Sequence, residues 1–223
     1  MLDYHKQQSI GSQMREFSKT GYDPVRGLDG TSGTTFPANY LDTGTQTTGN
    51  PSYATGCNPP FAIALPGRTT CRQDYTRQID DTPDQKKLSA FVKGAFKMGD
   101  ALATVEFLHS KNDVISRTAP PPQTGLVMNN TSPYYPAAAS GAPLSVNWRP
   151  MEAGQRTILS KGKADRFVAA LEGNMAGWDY KGGLNYSVSK SAENFIGGYV
   201  QDASFAAGVL NGILNPFALQ NAA

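Results

Sequence analysis

The side chains in this sequence best equipped for covalent, metal or acid–base chemistry are its two cysteines, Cys57 and Cys71, and its two histidines, His5 and His109. Cys57 and Cys71 share one polar stretch rich in Pro and Gly. Joined, they would remove about 3 kcal/mol of unfolded-state entropy in the chain-entropy model, and the bond would persist only in an oxidising compartment; unjoined, they are two free thiols. Their spacing is wrong for a zinc knuckle and no His lies near them, so a metal site is not expected. Neither His5 nor His109 has a carboxylate or Cys at ligand spacing, which makes each an ordinary surface or lumen imidazole. Asp80-Asp81 reads as a solvated loop. There is no G-x-S-x-G elbow, phosphate loop or dinucleotide fingerprint, so neither catalysis nor a cofactor is expected.

The other charged groups with a regular place are Lys93, Lys97, Glu106, Arg166, Glu172 and Lys181, and what orders them is strict alternation. In residues 88–98, Leu88, Ala90, Val92, Gly94, Phe96 and Met98 fall on one parity and Ser89, Phe91, Lys93, Ala95 and Lys97 on the other. Residues 101–110 repeat the pattern less cleanly, because Leu102 and Leu108 interrupt the polar parity. Residues 166–175 and 178–189 follow, the last with Trp178, Tyr180, Gly182, Leu184, Tyr186 and Val188 opposing Asp179, Lys181, Gly183, Asn185, Ser187 and Ser189. A period of two predicts strands with one apolar and one polar face.

Only Gly99-Asp100 separates the first two segments and only Ala176-Gly177 the last two, so each pair predicts a tight antiparallel hairpin. Residues 1–6 predict one further strand. The remaining stretches, about 7–86, 116–155 and 192 to the end, are long connections rich in Gly, Pro, Ser, Thr and Asn, and all fall at the end opposite the tight turns. Tight turns at one end, long loops at the other and strands of about ten alternating residues are the pattern of a transmembrane β-barrel. The expected fold is all-β: an antiparallel meander of about five strands, an open fragment of a large transmembrane barrel with long extracellular loops. Helix is expected only in short pieces such as residues 201–210. Trp178 and Tyr180, directly after a turn, stand where a barrel places its interfacial aromatics. Lys93, Lys97, Glu106, Arg166, Glu172 and Lys181 are expected to face the lumen, where they solvate a wet interior.

Composition agrees with this reading. Charged residues make up 17%, below the roughly 25% of an average soluble domain, and Gly (23) and Pro (15) are plentiful. A net charge of +2 with no long basic run suggests neither a nucleic-acid groove nor an anionic membrane surface as partner. No stretch approaches the roughly 18 apolar residues of a spanning helix.

Several runs resemble barrel segments of TonB-dependent outer-membrane receptors. They are Arg15-Glu16-Phe17-Ser18-Lys19-Thr20-Gly21-Tyr22, Thr35-Phe36-Pro37-Ala38-Asn39, Cys57-Asn58-Pro59-Pro60 with Cys71-Arg72-Gln73-Asp74-Tyr75, and Thr124-Gly125-Leu126 before Ser132-Pro133-Tyr134-Tyr135-Pro136. Gly177-Trp178-Asp179-Tyr180, Gly197-Gly198-Tyr199-Val200 and Leu214-Asn215-Pro216-Phe217 belong with them. The resemblance covers nearly the whole chain and rests on the number and order of these runs.

It implies a barrel of about 22 strands around a plugged lumen, set in the outer membrane of a Gram-negative bacterium. Such a receptor takes up an iron chelate, cobalamin or oligosaccharide, energised by TonB through an N-terminal box. Its partners are outer-membrane lipid, the transported ligand and TonB, and it supports pairing of Cys57 with Cys71. Residues 1–223 show no signal peptide, TonB box, plug or closing strand, so an internal slice of the barrel ending in a loop at Ala223, inactive alone, is expected. Ligand-binding residues are not identifiable. The alternative is a secreted or surface-attached soluble β-sheet module for binding or adhesion, with a secreted enzyme a distant third.

Overall fold

Alternation and turn chemistry build one sheet of long strands: β1 (Leu2–Gln7), β2 (Asp84–Met98), β3 (Ala101–Thr118), β4 (Arg156–Met175) and β5 (Trp178–Gly197). The structure, a computed structural model, describes residues 1–220; the expected chain end in a loop at Ala223 lies outside them. Sheet order is β1-β2-β3-β4-β5, so neighbours in sequence are neighbours in space, and the sheet is open. The β1–β2 and β2–β3 pairs are antiparallel, with Leu2 opposite Ala90 and Val92 opposite Phe107.

Both expected hairpins form. At Ala176-Gly177 both residues have positive φ (53° and 82°), the type I′ arrangement whose twist matches its flanking strands. Gly99 alone is positive at the other turn (61°), as type II′ requires.

The strands are longer than the alternation indicated. β3 continues to Thr118 and β4 begins at Arg156. The extensions carry no period-two hydropathy signal, because Lys111-Asn112-Asp113 and Ser160-Lys161-Gly162-Lys163 are polar on both parities and Val114-Ile115 and Ile158-Leu159 apolar on both.

The chain divides into two compact units. The first (Met1–Ser9, Thr82–Ser116, Ile158–Phe195) is this sheet without the outermost residues of β3, β4 and β5. None of its residues is buried.

The second unit (Ile10–Asp81, Arg117–Thr157, Ile196–Ala223) corrects the expectation of unstructured loops. Its short strands Gln123–Met128, Leu144–Trp148, Asn39–Asp42 and Thr48–Gly49 form a four-stranded sheet in that order. Helix α1 (Asp202–Leu210), at the expected place, opens with the Gln201 side chain accepting from Ser204 N–H. Phe36, Ala38, Leu126, Met128, Leu144, Val146, Trp148 and Val209 form the core, and Trp148 stacks on Phe205 at 4.8 Å. All three long connections thus contribute to one core. Strands of two to six residues are too short to show a period, so their existence depends on this tertiary packing.

Cys57 and Cys71 are bonded, with Cα atoms 5.9 Å apart. Asn39 fixes the second half-cystine, accepting from Cys71 N–H (2.9 Å) and donating to Cys71 O (2.9 Å).

Candidate functional site

The sequence offered charged groups on one parity and aromatics on the other, and the sheet separates them onto two faces. On the polar parity, Lys93 on β2 lies opposite Glu106 on β3, with Nζ 2.8 Å from the carboxylate. Across the β4–β5 hairpin Lys181 meets Glu172 at 2.8 Å, Asn174 donates to Asp179 at 3.0 Å, and Arg166 Nε donates to Asn185 Oδ1 at 3.0 Å. Five of the six expected positions therefore join cross-strand polar pairs, while Lys97 has no ion pair among the described residues. These pairs are solvent-exposed and contribute little to stability. Their value lies in keeping one face wet and in register.

On the other parity Phe96, Val105, Phe107, Leu171, Leu184 and Tyr186 stand exposed, and Trp178 is 80% exposed. Tyr180 is half-buried. Its hydroxyl lies over Gly173, where an added Cβ would stand 2.8 Å from that oxygen and 2.9 Å from Asp100 O; the glycine makes room for the aromatic on the neighbouring strand.

The apolar band has a definite upper margin. From the turns it runs along β3 from Ala101 to Phe107 and along β4 from Met175 back to Phe167. It ends where His109 Nδ1 meets Asp165 Oδ1 at 2.6 Å. Sequence spacing gave His109 no carboxylate, since the partner lies on another strand. Beyond this pair the same parity bears Lys111 and Asp113 (3.6 Å apart) and Lys163, 3.2 Å from Asp165. The apolar stretch is about seven to eleven residues per strand, near the roughly 9–11 that a tilted strand needs to cross a bilayer.

In the second unit the buried charges are already committed to backbone groups. Asp42 accepts from Ser140 N–H and Ser140 Oγ (both 2.7 Å) and from Gly44 N–H (2.9 Å); the Ser140 amide above all draws its pKa down to about 2. Burial alone would raise Asp74, but hydrogen bonds from Thr20, Thr76 and Gly21 N–H, with the Arg77 charge, leave it lowered. Arg149, 4% exposed, donates to Thr34 O and Pro120 O and lies over the Tyr75 ring at 5.7 Å. Burial, aided by the Arg156 charge, lowers its pKa to about 10, so it stays protonated at neutral pH. These groups tie the connections together, and sequence alone gave no sign of them. Among the described residues no group of three or more His, Cys, Asp or Glu side chains is placed to hold a metal ion.

No family model, curated protein or solved structure matches this chain.

Proposed function

We propose that this chain is a length of wall from an outer-membrane β-barrel of the TonB-dependent receptor type. With the rest of its barrel it would serve uptake of a scarce ligand such as an iron chelate, cobalamin or oligosaccharide, and not catalysis. The observation that carries this reading is a meander of strands up to 20 residues long in which no residue is buried. In water such a sheet lacks a core, because a soluble sandwich covers one face of each sheet. In a barrel wall the apolar face meets lipid and the polar face lines the lumen. The band's height, the aromatic next to the turn and the cross-strand ion pairs on the other side all agree. TonB would energise the whole receptor, and the open edges of β1 and β5 would pair with further strands.

The buried core and disulfide of the second unit favour, taken alone, a secreted or surface-attached binding module. The uncovered aromatic face of the sheet opposes it, since so large an apolar patch is not tolerated on ordinary soluble monomers.

The two readings separate on the solvent Trp178 meets. In a Trp148→Phe variant, which keeps an aromatic against Phe205, Trp178 is the sole tryptophan. Lipid brominated along its acyl chains should quench it when the chain is folded into vesicles, and the chain should aggregate in detergent-free buffer. A clean monomer without detergent, unfolding cooperatively and with unquenched Trp178, overturns the barrel-wall reading in favour of the soluble module.

A further inference from the structure

Above the apolar band, the lysines on the lipid-side parity fall into a row. Lys111 lies opposite Leu88, hence on the face of Val92, Phe96 and Phe107. Gly162 beside Asn112 O and Gly173 beside Ala101 Cα, with the His109–Asp165 contact, fix the β3–β4 register and set Lys111 opposite Lys163. On β4–β5 the Glu172–Lys181 and Asn174–Asp179 contacts and the approach of Gly183 to Ala170 fix the next register. That count sets Lys163 opposite Lys190. One step further from the turns, Lys6 lies opposite Lys86 and Lys86 opposite Asp113.

Like charges directly opposite on a sheet repel and cost stability, yet three adjacent strands each contribute a lysine to one row. The two carboxylates beside the row offset only part of its charge. Asp113 takes Lys111 at 3.6 Å, and Asp165 is shared between Lys163 and His109. Lys190, Lys86 and Lys6 have no ion pair among the described residues. Beneath the row comes the His109–Asp165 contact, and one step nearer the turns lie the exposed rings of Phe107, Phe167 and Tyr186. A ligand that satisfies both must be anionic at its head and apolar below it.

We infer that the Lys111–Lys163–Lys190 row binds the phosphate headgroup of an anionic membrane lipid whose acyl chains lie along the apolar band. The inference rests on the barrel-wall reading and adds to it a preferred lipid at a stated height. Each lysine has a flexible stem and a compact ammonium head with three donors, so neighbouring lysines can converge on one phosphate. The site lies where the headgroup layer meets the band, and the charge there attracts anionic lipid over zwitterionic lipid.

The test uses the folded chain in uncharged maltoside micelles doped with phosphatidylglycerol or phosphatidylcholine, reading lipid retained after gel filtration and the urea midpoint. Retention of phosphatidylglycerol should exceed that of phosphatidylcholine at least tenfold. In K111Q/K163Q/K190Q it should fall to within twofold, whereas the charge-matched control K19Q/R26Q/K87Q keeps it and K111R/K163R/K190R restores it. The midpoint should separate the two chains: phosphatidylglycerol should raise it for the parent and leave it unchanged for the triple Gln variant. Undiminished retention by the triple Gln variant, or complete displacement of the lipid by millimolar inorganic phosphate, overturns the inference. If Trp178 is quenched by brominated lipid yet no headgroup preference exists, this inference alone fails; if Trp178 is not quenched, the barrel-wall reading fails with it.

Discussion

An arginine scan along β3 tests the two faces and the height of the band together. From Ala101 to His109 the strand climbs about 27 Å at roughly 3.4 Å per residue. If the sheet is a barrel wall, a tilt of about 40° projects about 20 Å of that onto the membrane normal, close to the roughly 25 Å band of outer-membrane barrels. Val105 stands halfway between Ala101 at the turn and His109 at the upper margin, on the apolar parity. Thr104 is its neighbour on the ion-paired face, opposite Ala95.

An arginine at the midplane of the lipid face costs about 2–4 kcal/mol and at its margin about 0–1. Val105→Arg should therefore lower the folding equilibrium about 30- to 700-fold, Ala101→Arg by less than about fivefold, and Thr104→Arg little. The assay is urea unfolding of the chain from phosphatidylcholine vesicles, followed by Trp178 fluorescence in the Trp148→Phe background. A profile that does not vary with height, or a Thr104→Arg as costly as Val105→Arg, refutes the assignment of faces.

Reduction of Cys57–Cys71 opens a loop of sequence separation 14 and should lower stability of the second unit by about 3 kcal/mol, read by Trp148 fluorescence in a Trp178→Phe chain with and without reductant; a shift below about 1 kcal/mol counts against the entropic account. Ala176 holds a left-handed φ of 53°, so Ala176→Gly should stabilise the β4–β5 hairpin by about 1 kcal/mol, measured as a rise in urea midpoint; a fall would mean that the Ala methyl contributes packing. The lowered Asp42 pKa makes its contribution full above the unfolded value of 3.8 and lost as pH falls toward the folded value of about 2. The midpoint should drop across that window, and Asp42→Asn should flatten the drop; an unchanged pH profile in the variant would remove Asp42 as its source.

The strand core of the sheet was legible because Leu88 to Met98 and Trp178 to Val188 alternate and two-residue turns separate the pairs. Helix α1 falls within the short piece, residues 201–210, where helix was expected. What alternation could not show was the length of β3 and β4, whose upper residues are polar or apolar on both sides alike. Nor could it show the second unit, whose strands are short and whose core joins Phe36, Val146 and Val209 from three distant stretches. Charges that form no run in sequence can still form a row on a sheet. Lys111, Lys163 and Lys190 are isolated in sequence, and only strand register makes them neighbours. Asp42 and Arg149 resemble any loop charges until their backbone partners are known.

The core shared by the three connections also fixes an order of assembly. Residues 39–42 wait for residues 144–148 to supply the next strand, and both wait for Phe205, Val209 and Leu214 to cover Trp148 and its neighbours. A chain emerging N-terminus first cannot close this core until its final segment is available. The tight hairpins ease that wait, since pairing of Asp84 with Ile115 brings the roots of the first two connections together and shortens the effective span that remains to be closed. A chain cut before residue 202 lacks Phe205, Val209 and Leu214 and should leave the second unit half-built however well the sheet has formed.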